Sequence, residues 1–118
     1  MGRLTTHVLD TAAGKPAAGL TVSLFALKDG APPQRLKMVQ TNADGRVDQP
    51  LLEGSALQSG KYRLVFEVGS YFQNYPMPLT NPMFLDHIPL DFGIGDTSLH
   101  YHVPLLVSPW AYATYRGS

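Results

Sequence analysis

The chain has 118 residues, which is the usual size of one domain. Hydrophobic residues make up 44% of it and charged residues 15%, a composition typical of globular proteins and unlike that of disordered chains. The formal net charge is zero, so no excess of either sign favours nucleic acid or an anionic membrane. We therefore expect a single domain over residues 1–118 that binds neither nucleic acid nor membrane.

The absence of cysteine excludes several kinds of chemistry. The chain can form no disulfide, and it has neither a thiolate nucleophile nor a cysteine ligand for zinc. No apolar run reaches the length of a signal peptide or of a transmembrane helix. These features together predict a cytoplasmic protein.

Short alternating segments, separated by Gly, Pro, Asn and Asp, predict an all-β protein. In chain order the predicted strands cover residues 4–9, 20–27, 36–41, 61–68, 84–92, 99–107 and 110–115. One short helical turn is predicted over 70–75, where Pro76 and Pro78 stop it. This number of strands in one domain favours a two-layer antiparallel sandwich.

Alternation within two of these strands identifies the predicted core, because successive side chains of a strand point to opposite faces. The apolar faces consist of Leu20, Val22, Leu24 and Ala26 in one strand and of Tyr62, Leu64, Phe66 and Val68 in the other. The last predicted strand, 110–115, is aromatic and can pair with a copy of itself. We therefore expect at least a symmetric dimer.

Histidines supply the first candidates for chemistry. His100 and His102 are two residues apart on a predicted strand, so their side chains share a face. Such a pair can chelate a metal with His7 as the third ligand, although two histidines on a solvent-facing strand are also ordinary polar surface. His7 shares a face with Thr5 and Leu9, and taken alone it is more simply a structural residue.

The other polar candidates also have simple structural explanations when each is taken singly. Arg46 follows the turn 42–45, in which Asp44 and Gly45 favour a tight reversal of the chain. Tyr115, at the end of a strand, is usually a packing or interface residue. Taken together, however, imidazoles, a guanidinium, a phenol and a terminal serine suit a small polar ligand that is anionic or rich in carbonyl groups.

Three segments resemble the motifs of a known family, the transthyretin-like 5-hydroxyisourate hydrolases. The segments are Leu4 to Asp10, Thr41 to Arg46, and the C-terminal part, which comprises His100 to Leu106, Ser108-Pro109 and the closing Tyr115-Arg116-Gly117-Ser118. The terminal tetrapeptide is the most specific element, because the hormone-carrying transthyretins share the fold but lack this ending. The resemblance covers nearly the whole chain.

The resemblance implies an all-β, transthyretin-like (prealbumin-like) β-sandwich of two four-stranded sheets, with one short helix after the fifth strand. It also implies a homotetramer, built as a dimer of dimers, with active sites in the channel between the dimers. Neither a metal nor an organic cofactor is implied.

The implied reaction belongs to urate and purine catabolism. It is the hydrolytic opening of the 5-hydroxyisourate ring to 2-oxo-4-hydroxy-4-carboxy-5-ureidoimidazoline. The family's catalytic positions fall on His7, Arg46 and His102, and its substrate-binding positions fall on His7, Arg46, Tyr115, Arg116, Gly117 and Ser118. We expect one histidine of the pair His7 and His102 to orient and deprotonate water, while Arg46 offsets the charge on the developing oxyanion. We favour His102 as the base with His7 in support, but the sequence does not decide between the two.

Three other hypotheses stay open at this point. The same inter-dimer channel could serve a carrier of a small aromatic ligand. A metal hydrolase could be built on His7, His100 and His102. A structural or adhesion domain of the same sandwich class is the third.

Overall fold

The computed structural model describes residues 2–117, which form a sandwich of two β-sheets. The elements in this range are β1 (Arg3–Asp10), β2 (Lys15–Pro16), β3 (Thr21–Leu27), β4 (Gln34–Gln40), β5 (Leu52–Glu53), a 3-10 turn (Gly54–Ala56), β6 (Gly60–Glu67), α1 (Val68–Phe72), β7 (His87–Ile94), β8 (Tyr101–Val107) and β9 (Tyr112–Thr114). The first sheet has the order β2-β1-β8-β9, and β5 also pairs with β1. The second sheet has the order β4-β3-β6-β7. The predicted all-β sandwich with one short helix is confirmed.

The pairing of β1 with β8 differs from the expected antiparallel arrangement. These two strands run parallel, from Leu4 beside Tyr101 to Asp10 beside Val107. The other strand pairs in residues 2–117 are antiparallel. Parallel neighbours need a long connection, and here the connection contains all four strands of the second sheet. The alternation that identifies each strand carries no information about the direction of its partner.

The hydrophobic core lies between the two sheets, on the faces that alternation predicts. All eight side chains predicted for the core are buried except Ala26, which is partly buried. In β1, Leu4 and Val8 point into the core, whereas Thr5, His7 and Leu9 lie on the outer face and are partly exposed. The outer face of the first sheet therefore carries the polar side chains of Thr5 and His7, whereas the polar Thr6 and Asp10 are buried.

Several element boundaries differ from the prediction. Helix α1 begins at Val68, two residues before the predicted turn. It follows the sixth strand, not the fifth as the resemblance implies, and two of the strands before it are very short. These strands, β2 and β5, have two residues each, which is too short for an alternating pattern to show. Strand β7 begins at His87, and Phe84, predicted to be part of it, is 75% exposed in the preceding loop. No helix within residues 2–117 combines the length and the apolar character needed to cross a membrane.

Asp10 is a fully buried carboxylate that ties α1 to the first sheet. Its Oδ1 accepts hydrogen bonds from the backbone N–H groups of Ala12, at 3.0 Å, and Ala13, at 2.9 Å. The Tyr71 hydroxyl donates to Oδ2 at 2.8 Å, and the Tyr75 hydroxyl donates to Oδ1 at 3.3 Å. Burial and the hydrogen bond to Asp10 raise the pKa of Tyr71, so this hydroxyl stays a donor. Four donors thus replace the water that the carboxylate loses on burial.

We predict that Asp10→Ala lowers the free energy of unfolding by about 2–4 kcal/mol, because two backbone N–H groups and two hydroxyls lose a charged acceptor. Urea denaturation at a fixed protein concentration measures the change. Asp29→Ala, in an exposed loop, is the control and should change the stability by less than about 0.5 kcal/mol. Equal stability of the two variants would contradict the assigned role of Asp10.

Candidate active site

The outer face of the first sheet brings together the three residues predicted for catalysis. His7 lies on β1 and His102 on β8, and their ring centroids are 6.4 Å apart. Arg46 joins them because its backbone forms an antiparallel bridge with that of His7. Residues from three distant parts of the sequence therefore share one surface.

The turn that carries Arg46 is stabilised by its own residues. The Asn42 side-chain oxygen accepts hydrogen bonds from the backbone N–H groups of Asp44, at 2.9 Å, and Arg46, at 3.1 Å. Gly45 has a φ of 74°, and its carbonyl oxygen accepts the Val8 N–H at 2.8 Å. A Cβ at Gly45 would collide with the Val8 carbonyl, so both the conformation and the close approach require glycine.

The imidazole of His102 is held at both edges of the ring. On one edge, Thr5 Oγ1 lies 2.8 Å from His102 Nδ1, at hydrogen-bond distance. On the other edge, a Cβ at Gly117 would lie 2.7 Å from His102 Cδ2, closer than packed carbon atoms approach one another. The Gly117 N–H also donates to the His102 carbonyl oxygen at 2.7 Å. The C-terminal segment is thus attached to the residue predicted to be the base.

Tyr115 and Arg116 lie on the other side of β8. The Arg116 guanidinium stacks on Tyr101, with Cζ 4.4 Å from the ring centroid, and Nη2 donates to the His100 carbonyl oxygen at 3.1 Å. Tyr115 and Arg116 line a groove of about 380 Å³, and Tyr115 is 62% exposed. The structure does not bring these two side chains to His102. Ser118, also predicted for substrate binding, lies outside the described residues.

His102 borders an open groove of about 510 Å³ on the outer face of the first sheet. Thr5, Arg46 and His100 also line it, together with the acidic Asp48, so much of its surface is polar, whereas His7 is not among the lining residues. A somewhat larger cavity, of about 560 Å³, lies beside α1 and contains none of the predicted site residues. Within residues 2–117, no three His, Asp or Glu side chains form a group that could hold a metal ion, so His7, His100 and His102 are not arranged as the metal hypothesis requires.

Burial and Arg46 together lower the pKa of both histidines. For His7, burial has the larger effect and the Arg46 charge follows, while a hydrogen bond to the Asp44 backbone partly opposes them. For His102, burial is again the main cause, followed by the charges of Arg46 and His7. An imidazole that is neutral near pH 7 can accept a proton from water. The site therefore combines neutral bases with a fixed cation, which suits hydrolysis of a carbonyl compound.

We predict that Arg46→Gln raises the pKa of both histidines, because it removes a positive charge that disfavours each imidazolium. In the wild type, NMR titration of the two rings should give midpoints below the ordinary histidine value of 6.5. The Arg46→Gln midpoints should move up towards that value. Arg63→Gln, which breaks an ion pair with Asp91 in the second sheet, is the control and should leave both midpoints in place. Unchanged midpoints in Arg46→Gln would show that Arg46 is not close enough to act on these rings.

The fold and the site define a transthyretin-like protein with a polar, histidine-containing face. The model of the HIUase/Transthyretin family matches residues 4–117, and the chain belongs to this family. The 5-hydroxyisourate hydrolase of Ralstonia nicotianae is 57% identical over 118 residues, which is the full length of both chains. The 5-hydroxyisourate hydrolase 2 of Rhizobium meliloti is 55% identical over 117 residues, covering 99% of this chain and 97% of the relative.

Solved structures support the same assignment. The crystal structure of (S)-allantoin synthase matches with a TM-score of 0.93 at 44% identity over 99% of this chain, which spans 44% of that longer chain. The Klebsiella pneumoniae 5-hydroxyisourate hydrolase matches over the full length of both chains, with a TM-score of 0.79 and 36% identity. Sea bream transthyretin in complex with thyroxine has a TM-score of 0.86 at 22% identity, covering 98% of this chain and 94% of its own, and shows the shared fold only. The predicted transthyretin-like fold and the family resemblance are confirmed.

Proposed function

We propose that this protein is a 5-hydroxyisourate hydrolase whose catalytic residues are His7, Arg46 and His102. The observation that carries the proposal is the convergence of these three residues on one sheet face, where Arg46 and His102 line a groove of about 510 Å³. Such a volume is in the range of small-molecule sites. Relatives that are 57% and 55% identical over their full or nearly full length carry the name of this enzyme. The reaction opens the substrate ring in urate and purine catabolism to give 2-oxo-4-hydroxy-4-carboxy-5-ureidoimidazoline.

His102 acts as the general base in this proposal. Its ring is neutral near pH 7, because burial and the charges of Arg46 and His7 lower its pKa. The imidazole takes a proton from water while the water oxygen attacks the C6 carbonyl carbon of the substrate. His7, with its ring centroid 6.4 Å from that of His102, orients the water.

Arg46 stabilises the charge that forms during the attack. The carbonyl oxygen becomes an oxyanion, and the guanidinium donates hydrogen bonds to it. When the carbonyl re-forms, the bond from C6 to the ring nitrogen breaks, and the nitrogen receives the proton from the His102 imidazolium. The base is then restored for another turnover, with no metal or organic cofactor in the cycle.

The C-terminal residues complete the substrate-binding site, together with His7 and Arg46. Gly117 and Ser118 contact the substrate, a role that the hydrogen bond from Gly117 to the His102 backbone supports. Arg116 contributes by anchoring the terminal segment on Tyr101, whereas Tyr115 lines the separate groove on the other side of β8 and takes no part in this step.

We also propose the homotetramer, a dimer of dimers, as the working form, with residues 1–118 as one domain per subunit in the cytoplasm. Within residues 2–117, β9 pairs only with β8, so its other edge is open to a second copy. Trp110 and Tyr112, at this edge, are 57% and 46% exposed. The outer face of the first sheet carries the partly exposed Leu9 and Leu106, so a channel between two such faces would cover apolar surface as well as the site.

The proposed activity is tested with freshly prepared 5-hydroxyisourate, made by oxidising urate with a urate oxidase. Its decay is followed by ultraviolet absorbance, with and without the protein and with and without a chelator. Faster decay that the chelator leaves unchanged supports the proposal. Decay that the chelator abolishes favours the metal hydrolase, and decay at the spontaneous rate contradicts enzymatic function.

We predict that His102→Asn reduces turnover by about 10²–10⁴-fold, which is the usual contribution of a general base. Asparagine keeps a polar side chain of similar size but cannot accept the proton from water. His87→Asn, on the edge strand of the second sheet, is the matched control and should retain wild-type turnover. Near-normal turnover of His102→Asn, with its assembly intact, would refute the assignment of the base.

We predict that Tyr112→Glu weakens the assembly, because symmetric pairing of two β9 strands brings like charges together. Analytical ultracentrifugation should show a shift from tetramer to smaller species. Met38→Glu is the control, since Met38 is also exposed (58%) on an edge strand, β4, but in the second sheet. Identical sedimentation of Tyr112→Glu and wild type would exclude the β9 edge as the interface.

A further inference from the structure

We infer that Thr5 is a positioning residue: its hydroxyl oxygen accepts the Nδ1 proton of His102 and so leaves Nε2 free to take a proton from water. This inference rests on the proposed function, because it gives His102 the role of base. It concerns a contact within this chain, so it can also be measured without substrate.

The sheet register places the two side chains next to each other. Thr5 and His102 are paired residues of the parallel strands β1 and β8. Both lie on the outer face, and Thr5 Oγ1 is 2.8 Å from His102 Nδ1 in a partly buried setting. Strand backbones hold both Cα positions, so this distance does not depend on a flexible loop.

The orientation of the ring follows from contacts on its two edges. Gly117 packs against the Cδ2 edge, and Thr5 faces the Nδ1 edge. A half-turn of the ring would exchange these edges and place a carbon against the Thr5 oxygen, with loss of the hydrogen bond. Within residues 2–117, Thr5 is the hydrogen-bond partner of His102 Nδ1. Thr5 is therefore the group that distinguishes the two orientations of the ring.

The proposed chemistry then decides which partner donates. A neutral imidazole has one proton, and a base that acts through Nε2 must carry that proton on Nδ1. The Thr5 oxygen accepts it both before and after Nε2 is protonated, so the same hydrogen bond stabilises the imidazolium that forms. If the Thr5 hydroxyl donated instead, the proton would be on Nε2 and that nitrogen could not act as the base.

Two substitutions separate the hydroxyl from the shape of the side chain. Thr5→Val keeps the β-branched outline and the strand preference but has no hydroxyl. Thr5→Ser keeps the hydroxyl and loses a methyl group. Thr11→Val is the matched control, because the Thr11 hydroxyl donates to the Val107 carbonyl oxygen, at 3.1 Å, at the opposite end of the same strand pair.

The experiment combines nitrogen NMR of the His102 ring with steady-state kinetics. Wild type, Thr5→Ser and Thr11→Val should show the tautomer with the proton on Nδ1. Thr5→Val should lose this preference, and its kcat should fall by about tenfold with KM unchanged, as expected for the loss of one hydrogen bond that acts on the base. The acid limb of the kcat profile should also move to lower pH in Thr5→Val, because the imidazolium loses an acceptor.

The inference is overturned if wild-type His102 carries its proton on Nε2, if Thr5→Val keeps both the wild-type tautomer and kcat, or if Thr11→Val loses as much activity as Thr5→Val. The proposed function has a separate test within the same experiment. If the wild-type protein leaves the decay of 5-hydroxyisourate at the spontaneous rate, the proposed function is wrong. In that case the tautomer of the His102 ring in Thr5→Val, compared with wild type, decides whether Thr5 sets the position of the ring proton.

Discussion

The active face depends on the parallel pairing of β1 with β8. This register sets Thr5 beside His102 and places His7 two residues further along the same face. A slip of one residue would turn these side chains into the core and bring Leu4 and Val8 out into solvent. Burial of these two apolar side chains therefore holds the polar ones in place. The stability of the core and the geometry of the site are consequences of one register.

Two short backbone bridges attach the remaining groups to this strand pair. One joins His7 to Arg46, and the other joins His102 to Gly117. Each depends on a glycine that approaches its neighbour closely, Gly45 against Val8 and Gly117 against the His102 ring. Holding a group through backbone hydrogen bonds costs less side-chain conformational entropy than holding it through a long side chain, so such bridges hold a site more rigidly. The Arg46 backbone is consequently fixed, although its side chain is long.

The Arg46 charge has two opposite effects in the proposed mechanism. It lowers the pKa of both histidines and so reduces their strength as bases, but it also keeps them neutral at the pH where a base is needed. The same charge stabilises the oxyanion that the attack produces. The Arg46 guanidinium therefore stabilises the transition state, in which negative charge has formed beside it, more than it stabilises the resting site.

Local sequence patterns determined the two core faces, the turn before Arg46 and the family motifs, because each depends on neighbouring residues. Alternation in Tyr62 to Phe66 and the Asn42 turn are of this kind, and the structure confirms both, although Val68, predicted to end the strand, begins α1. The tertiary structure alone decided that β1 and β8 run parallel, that Thr5 contacts His102, and that Arg116 lies across β8 on Tyr101. These contacts join residues that are far apart in the chain. They follow from packing the whole sandwich, and no pattern within a single strand specifies the direction or the register of its partner.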